Sequence, residues 1–153
     1  MKTPEMEDKF EEAWPADGDK ILAEKLGKIL IVDDEKLFAF LLARLLRNRG
    51  YSASFVSNAE KALERIDQEQ YDLVIVDIKM DGKSGYEMMK EVKAKHGAQS
   101  PTFLVGTGTE FVLSAEEMSE LKIYKIIEKP FPRPSRLFKE IESAIQSHTQ
   151  QGE

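Results

Sequence analysis

A chain of 153 residues fits one domain and is long enough to bury a sizeable core. Its 28 acidic against 22 basic residues leave a formal charge of −6, which argues against charge-driven binding to nucleic acid or an anionic membrane. Cysteine is absent, so disulfides and thiolate metal sites are excluded, and no apolar run approaches the ~18 residues of a membrane span. The acidic start lacks the basic-then-apolar pattern of a secretory signal, and the reading is a soluble, cytoplasmic protein.

Residues 1–27 form an extension marked by Pro4, Pro15 and the turn-like Asp17-Gly18-Asp19. Met6, Phe10, Ala13 and Trp14 fall at helical spacing after Thr3-Pro4, which predicts a short amphipathic helix that lies on its own domain, frays, or binds a partner. From residue 28 to 148 short apolar runs alternate with segments of 3.6 periodicity, the pattern of a parallel sheet covered by helices on both faces; 149–153 read as a tail. The expected strands are Ile29 to Val32, Ser52 to Val56, Leu73 to Val76, Phe103 to Val105 and Ile123 to Ile127. The second alternates and belongs at an edge. A first helix is expected to bury Leu37, Phe38, Leu41, Leu42, Leu45 and Leu46 as one core stripe, ending at Gly50. Later helices are signalled by Asn58, by Ser84 with Glu87, by Ser114 with Glu117 as a capping box, and by Pro134 before Leu137 to Ile145. His96 closes a charged helix and His148 sits near a fraying end, so neither is given a role.

In an open parallel sheet, ligands bind beyond the carboxyl ends of the strands. There the sequence places Asp33-Asp34-Glu35, Asp77, Gly106-Thr107 and Glu128-Lys129-Pro130-Phe131. Three carboxylates brought together repel one another unless a cation neutralises them. Magnesium fits best, with manganese a second candidate, because a hard ion takes one or two carboxylates and leaves positions for phosphate oxygens. A carboxylate attacks a phosphate only when the charge on the transferring group is spread onto metal and donors. Lys129 and Thr107 are donors of the right kind. Each piece alone is more often a cap or a surface turn; their joint placement at one sheet edge carries the reading.

These residues resemble the receiver domains of two-component response regulators, the family of the bacterial chemotaxis regulator. Ile29 to Glu35 is similar to the family's first strand with its acidic pair, Leu73 to Asp77 to the strand bearing the phosphoacceptor, and Gly85 to the glycine leading into the third helix. Thr107, 30 residues after Asp77 and 22 before Lys129, is similarly spaced to the family's switch hydroxyl, although Gly106-Thr107-Gly108-Thr109 leaves Thr109 as an alternative. The resemblance implies a five-stranded sheet of flavodoxin-like order 2-1-3-4-5, phosphorylation at Asp77, and a cis peptide before Pro130. It also implies magnesium held by Asp33, Asp34, Asp77 and the backbone carbonyl of Lys79. Implied partners are a histidine kinase or phosphotransfer protein and an unidentified downstream protein, without nucleic acid or membrane, as a monomer or a phosphorylation-dependent homodimer. With 24 residues after Lys129, the expectation is a single-domain regulator that has no separate output enzyme.

The sequence departs from the family at three places. Asp81-Gly82 replaces the usual proline, Gly108 replaces the alanine after the switch hydroxyl, and Ile126 stands where an aromatic switch residue is common, with Tyr124 expected on its strand face. Competing readings are weaker. A haloacid-dehalogenase-like phosphatase needs an acid at position 79, which is lysine, and a flavin-phosphate site would be repelled by Asp33-Asp34-Glu35. A receiver-like module that works without phosphorylation remains, although all five functional positions are filled.

Overall fold

The computed structural model describes residues 26–151, so the helix expected around Met6 to Trp14 lies outside the described residues. Five parallel strands, β1 (Lys28–Val32), β2 (Ser52–Val56), β3 (Leu73–Asp77), β4 (Thr102–Thr107) and β5 (Ile123–Glu128), form one sheet in the order β2-β1-β3-β4-β5. Among the described residues, five α-helices connect and flank them: α1 (Lys36–Asn48), α2 (Ala59–Gln68), α3 (Gly85–His96), α4 (Ala115–Glu120) and α5 (Pro134–Gln151), with a 3-10 turn over Gly97–Gln99. The α5 helix runs well past the predicted Leu137 to Ile145 stretch.

The three inner strands carry continuous apolar runs because both of their faces are covered. Alternate side chains feed two cores. Leu30, Val32, Val74, Val76, Phe103 and Val105 pack with Ala62 and Ile66 of α2 and Met88, Met89 and Val92 of α3. Ile29, Ile31, Leu73, Ile75 and Leu104 pack with Ala39, Leu42, Ala43 and Leu46 of α1 and Leu137, Phe138, Ile141 and Ile145 of α5. The register aligns the strand ends, with Val32 opposite Val76, Asp77 opposite Gly106 and Thr107 opposite Glu128. One rim of the sheet therefore receives whatever follows each strand.

Two expectations are corrected. The first-helix stripe is not all core: Leu37, Leu41 and Leu45 are 59%, 48% and 42% exposed. Its six apolar positions span two adjacent rows at i, i+4 spacing, and the sheet takes only the row through Leu42 and Leu46, flanked by Ala39 and Ala43. Tyr124 does not share the environment of Ile126. The β4–β5 register shifts between Phe103 and Leu104, pairing Ile123 and then Lys125, and this bulge breaks the two-residue alternation. Tyr124 stays exposed while Ile126 packs on the Phe103 core.

The helix starts follow their sequence signals. Asn58, Ser84 and Ser114 accept from the backbone amides of Lys61, Glu87 and Glu117 respectively. The Glu117 carboxylate, expected to complete a capping box, accepts from the Tyr86 hydroxyl at 2.8 Å and ties α4 to α3.

Candidate functional site

β1 and β3 end side by side, and the residues that leave them bring Asp33, Asp34 and Asp77 together. One carboxylate oxygen from each lies within 4.8 Å of the others. Asp33 and Asp77 are buried and Asp34 is not. Asp33 is held on both sides: Oδ1 accepts from the Glu35 amide at 3.0 Å and Oδ2 from Lys129 Nζ at 2.8 Å. Lys129 Nζ is also 3.7 Å from Asp77 Oδ1. The peptide between Lys129 and Pro130 is cis, as the resemblance implies.

The electrostatics follow from this crowding. Burial pushes the Asp77 carboxyl above its ordinary range; Lys129 pulls it down, while Asp33 and Asp34 push it further up. For Lys129, burial works against the ammonium, but the Asp33 hydrogen bond and the charges of Asp33, Asp77 and Glu35 outweigh it and hold the group above its ordinary value. One ammonium among three carboxylates leaves a deficit of positive charge. This all-oxygen donor set suits a hard divalent cation such as magnesium.

Thr107 is buried at the end of β4, whereas Thr109 is exposed. The Thr107 hydroxyl donates to the Thr109 carbonyl at 2.7 Å and accepts from the Thr109 amide at 3.2 Å, so it is tied into its own loop. Lys79 is exposed, and its backbone amide bonds the Asp77 carboxylate. Gly85 is required by close approach: a Cβ there would collide with the backbone oxygen of Asp77. The rim thus assembles Asp33, Asp34, Asp77 and Lys129 directly, with Thr107 on the neighbouring strand end and Lys79 in the loop after Asp77.

Sequence reasoning missed the aromatic neighbours of Lys129. Phe38 of α1 and Phe131 stack with ring centroids 5.4 Å apart, and the ammonium lies near both rings. No local spacing links positions so far apart in the chain. It also missed His148, which is half-buried rather than frayed: Nδ1 pairs with Thr102 Oγ1 at 3.0 Å and Nε2 lies 3.9 Å from Asp72. His96 bonds the exposed Asp67 at 2.8 Å.

An acidic rim with one lysine on a 2-1-3-4-5 parallel sheet defines a class of signalling domain, and the comparisons agree. The sequence pattern of the response regulator receiver domain matches residues 29–142. The regulatory protein VanR of Enterococcus faecium is 34% identical over 123 residues, covering 79% of this chain and 51% of VanR. The transcriptional regulatory protein FixJ of Bradyrhizobium diazoefficiens is 33% identical over 120 residues, covering 78% of this chain and 57% of FixJ. A CheY-like receiver domain protein from Methanospirillum hungatei superposes with a TM-score of 0.71 at 22% identity, covering 81% of this chain and 97% of that one. NtrX from Brucella abortus gives 0.70 at 27% identity, covering 82% of this chain and 28% of NtrX. The chain belongs to the receiver domain family of two-component response regulators. It spans about half the length of VanR and FixJ. Among the described residues, no helix is long and apolar enough to cross a membrane.

Proposed function

We propose that this chain is a phosphorylation switch whose acceptor is Asp77. The observation that carries the reading is the meeting of three carboxylates within 4.8 Å beside a lysine that reaches two of them. An Asp77 carboxylate oxygen attacks phosphorus in a donor phosphohistidine or acyl phosphate. A P–O bond forms, the bond from phosphorus to the donor breaks, and its electron pair leaves with the donor, which takes a proton where it is an imidazole. Asp33, Asp34, Asp77 and the Lys79 carbonyl would hold magnesium or manganese, which when bound neutralises charge on the carboxylates and the transferring group.

Each protein group then has a task. Lys129 transfers part of its attraction from Asp33 to the new phosphoryl oxygens. Thr107 exchanges its bond to the Thr109 carbonyl for one to the phosphoryl group, which moves the loop between β4 and α4. The α4–β5 surface changes packing, and output is protein contact. Water enters the same site to release phosphate, with Lys79 at its mouth setting how long the acyl phosphate survives. The exposed row Leu37, Leu41 and Leu45 begins within one turn of the acidic rim and offers apolar surface to a phosphotransfer partner.

Acetyl phosphate with magnesium tests this directly. The wild-type chain gains one labile phosphoryl group and Asp77→Asn gains none; equal labelling of the variant refutes the assignment.

A further inference from the structure

Lys129 is enclosed by more than carboxylates. Its ammonium lies 5.4 Å from the ring centroid of Phe38 and 5.6 Å from that of Phe131, and the two rings stack with their planes 23° apart. Phe131 occupies this place because β4 carries no side chain at position 106. A Cβ there would stand 2.5 Å from Phe131 Cζ and 3.3 Å from Lys129 Cε. Gly106 in turn pairs with Asp77 in the sheet, so the ring, the lysine stem and the acceptor are neighbours by register. Both aromatic residues are half-buried, and Phe38 belongs to the same α1 as the exposed leucine row.

We propose that Gly106, Phe38 and Phe131 form an aromatic brace that positions the Lys129 ammonium for the phosphoryl group on Asp77. The proposal rests on the phosphorylation-switch reading above and assigns positioning residues within it. A lysine ammonium on a four-carbon stem has many rotamers, and a bond to Asp33 alone fixes it only while no phosphoryl group competes. Ring faces attract a cation through their quadrupole over a broad area, so the ammonium slides from Asp33 towards Asp77 without losing them. Gly106 makes the room and Phe38 backs the ring of Phe131. The brace also joins α1 to the acceptor strand end, at a site where position 126, an isoleucine, has no ring to offer.

The test compares magnesium, which the proposed site holds through carboxylates, with beryllofluoride, a phosphoryl mimic that the same site would hold through Lys129 as well. Leucine at 38 keeps apolar volume and loses the π face; tyrosine keeps the face. Phe38→Leu is expected to bind magnesium within about twofold of wild type but beryllofluoride roughly three- to tenfold more weakly, with Phe38→Tyr restored to wild type. Gly106→Ala displaces the far end of a flexible side chain and should act in the same direction. The double variant should be no worse than the weaker-binding single, because both break one device. Phe131→Leu provides the same comparison if Gly106→Ala does not fold. Wild-type beryllofluoride affinity in Phe38→Leu, or parallel loss of magnesium and beryllofluoride affinity, overturns the brace and leaves the rings as packing. Failure of wild type itself to bind beryllofluoride overturns the phosphorylation-switch reading and the brace with it.

Discussion

The two rims of the sheet use the same residue types to opposite ends. At the amino-terminal rim, Asp72 accepts from the Lys28 amide at 2.7 Å and lies near His148, while Glu69 accepts from Lys28 Nζ at 3.0 Å and the Tyr71 hydroxyl at 2.8 Å. Those carboxylates are matched by donors and knit β1, β3, β4 and α5 together. At the carboxyl-terminal rim, three carboxylates meet beside one ammonium that reaches two of them, and burial with like charge drives the Asp77 carboxyl upward. A matched cluster is structure; an unmatched one holds charge in reserve for a cation and a phosphoryl group.

Substitutions at the two rims should therefore separate binding from stability. The largest effect is expected at Asp34→Asn: magnesium affinity falls at least tenfold, while thermal stability without metal is unchanged or rises because repulsion is relieved. Calorimetric titration and a melting curve measure the two. Asp72→Ala should do the reverse, leaving magnesium affinity intact and costing about 1–3 kcal/mol in denaturant unfolding, since it strips the Lys28 amide of its partner. A smaller effect is expected at Lys79→Ala, where the rate of phosphate release after labelling should change a fewfold; an unchanged rate removes the Lys79 side chain from the mechanism.

The smallest effect concerns pH. Burial first, then the charge of Lys122, lowers the His148 pKa below its ordinary 6.5, with Asp72 opposing. The folded state thus prefers the neutral ring, and the unfolded chain binds the extra proton more readily. Stability from this group is whole above pH 6.5 and declines as pH falls through the lowered folded value. Urea melts of wild type and His148→Gln across that window should converge as pH drops, because the variant lacks the dependence.

Much of this fold is legible in sequence because parallel strands buried on both faces read as unbroken apolar runs, and because Asn58, Ser84 and Ser114 are caps whose partners lie three residues on. Asp33, Asp34, Asp77 and Lys129 could be grouped because strand ends in such a sheet share a rim. What escaped depends on packing between distant segments. Periodicity marks both leucine rows of α1 as apolar but does not say which one the sheet will take. Alternation along β5 fails at a bulge that only pairing with β4 reveals. The stacking of Phe38 on Phe131 relies on the room that Gly106 leaves for the Phe131 ring, a coincidence of three segments that no single stretch encodes.

The most direct measurement is mass spectrometry of the chain after incubation with acetyl phosphate and magnesium. One hydroxylamine-labile phosphoryl group that maps to Asp77 and disappears when magnesium is chelated is the predicted result. Phosphate on another residue, or labelling indifferent to the metal, would contradict it.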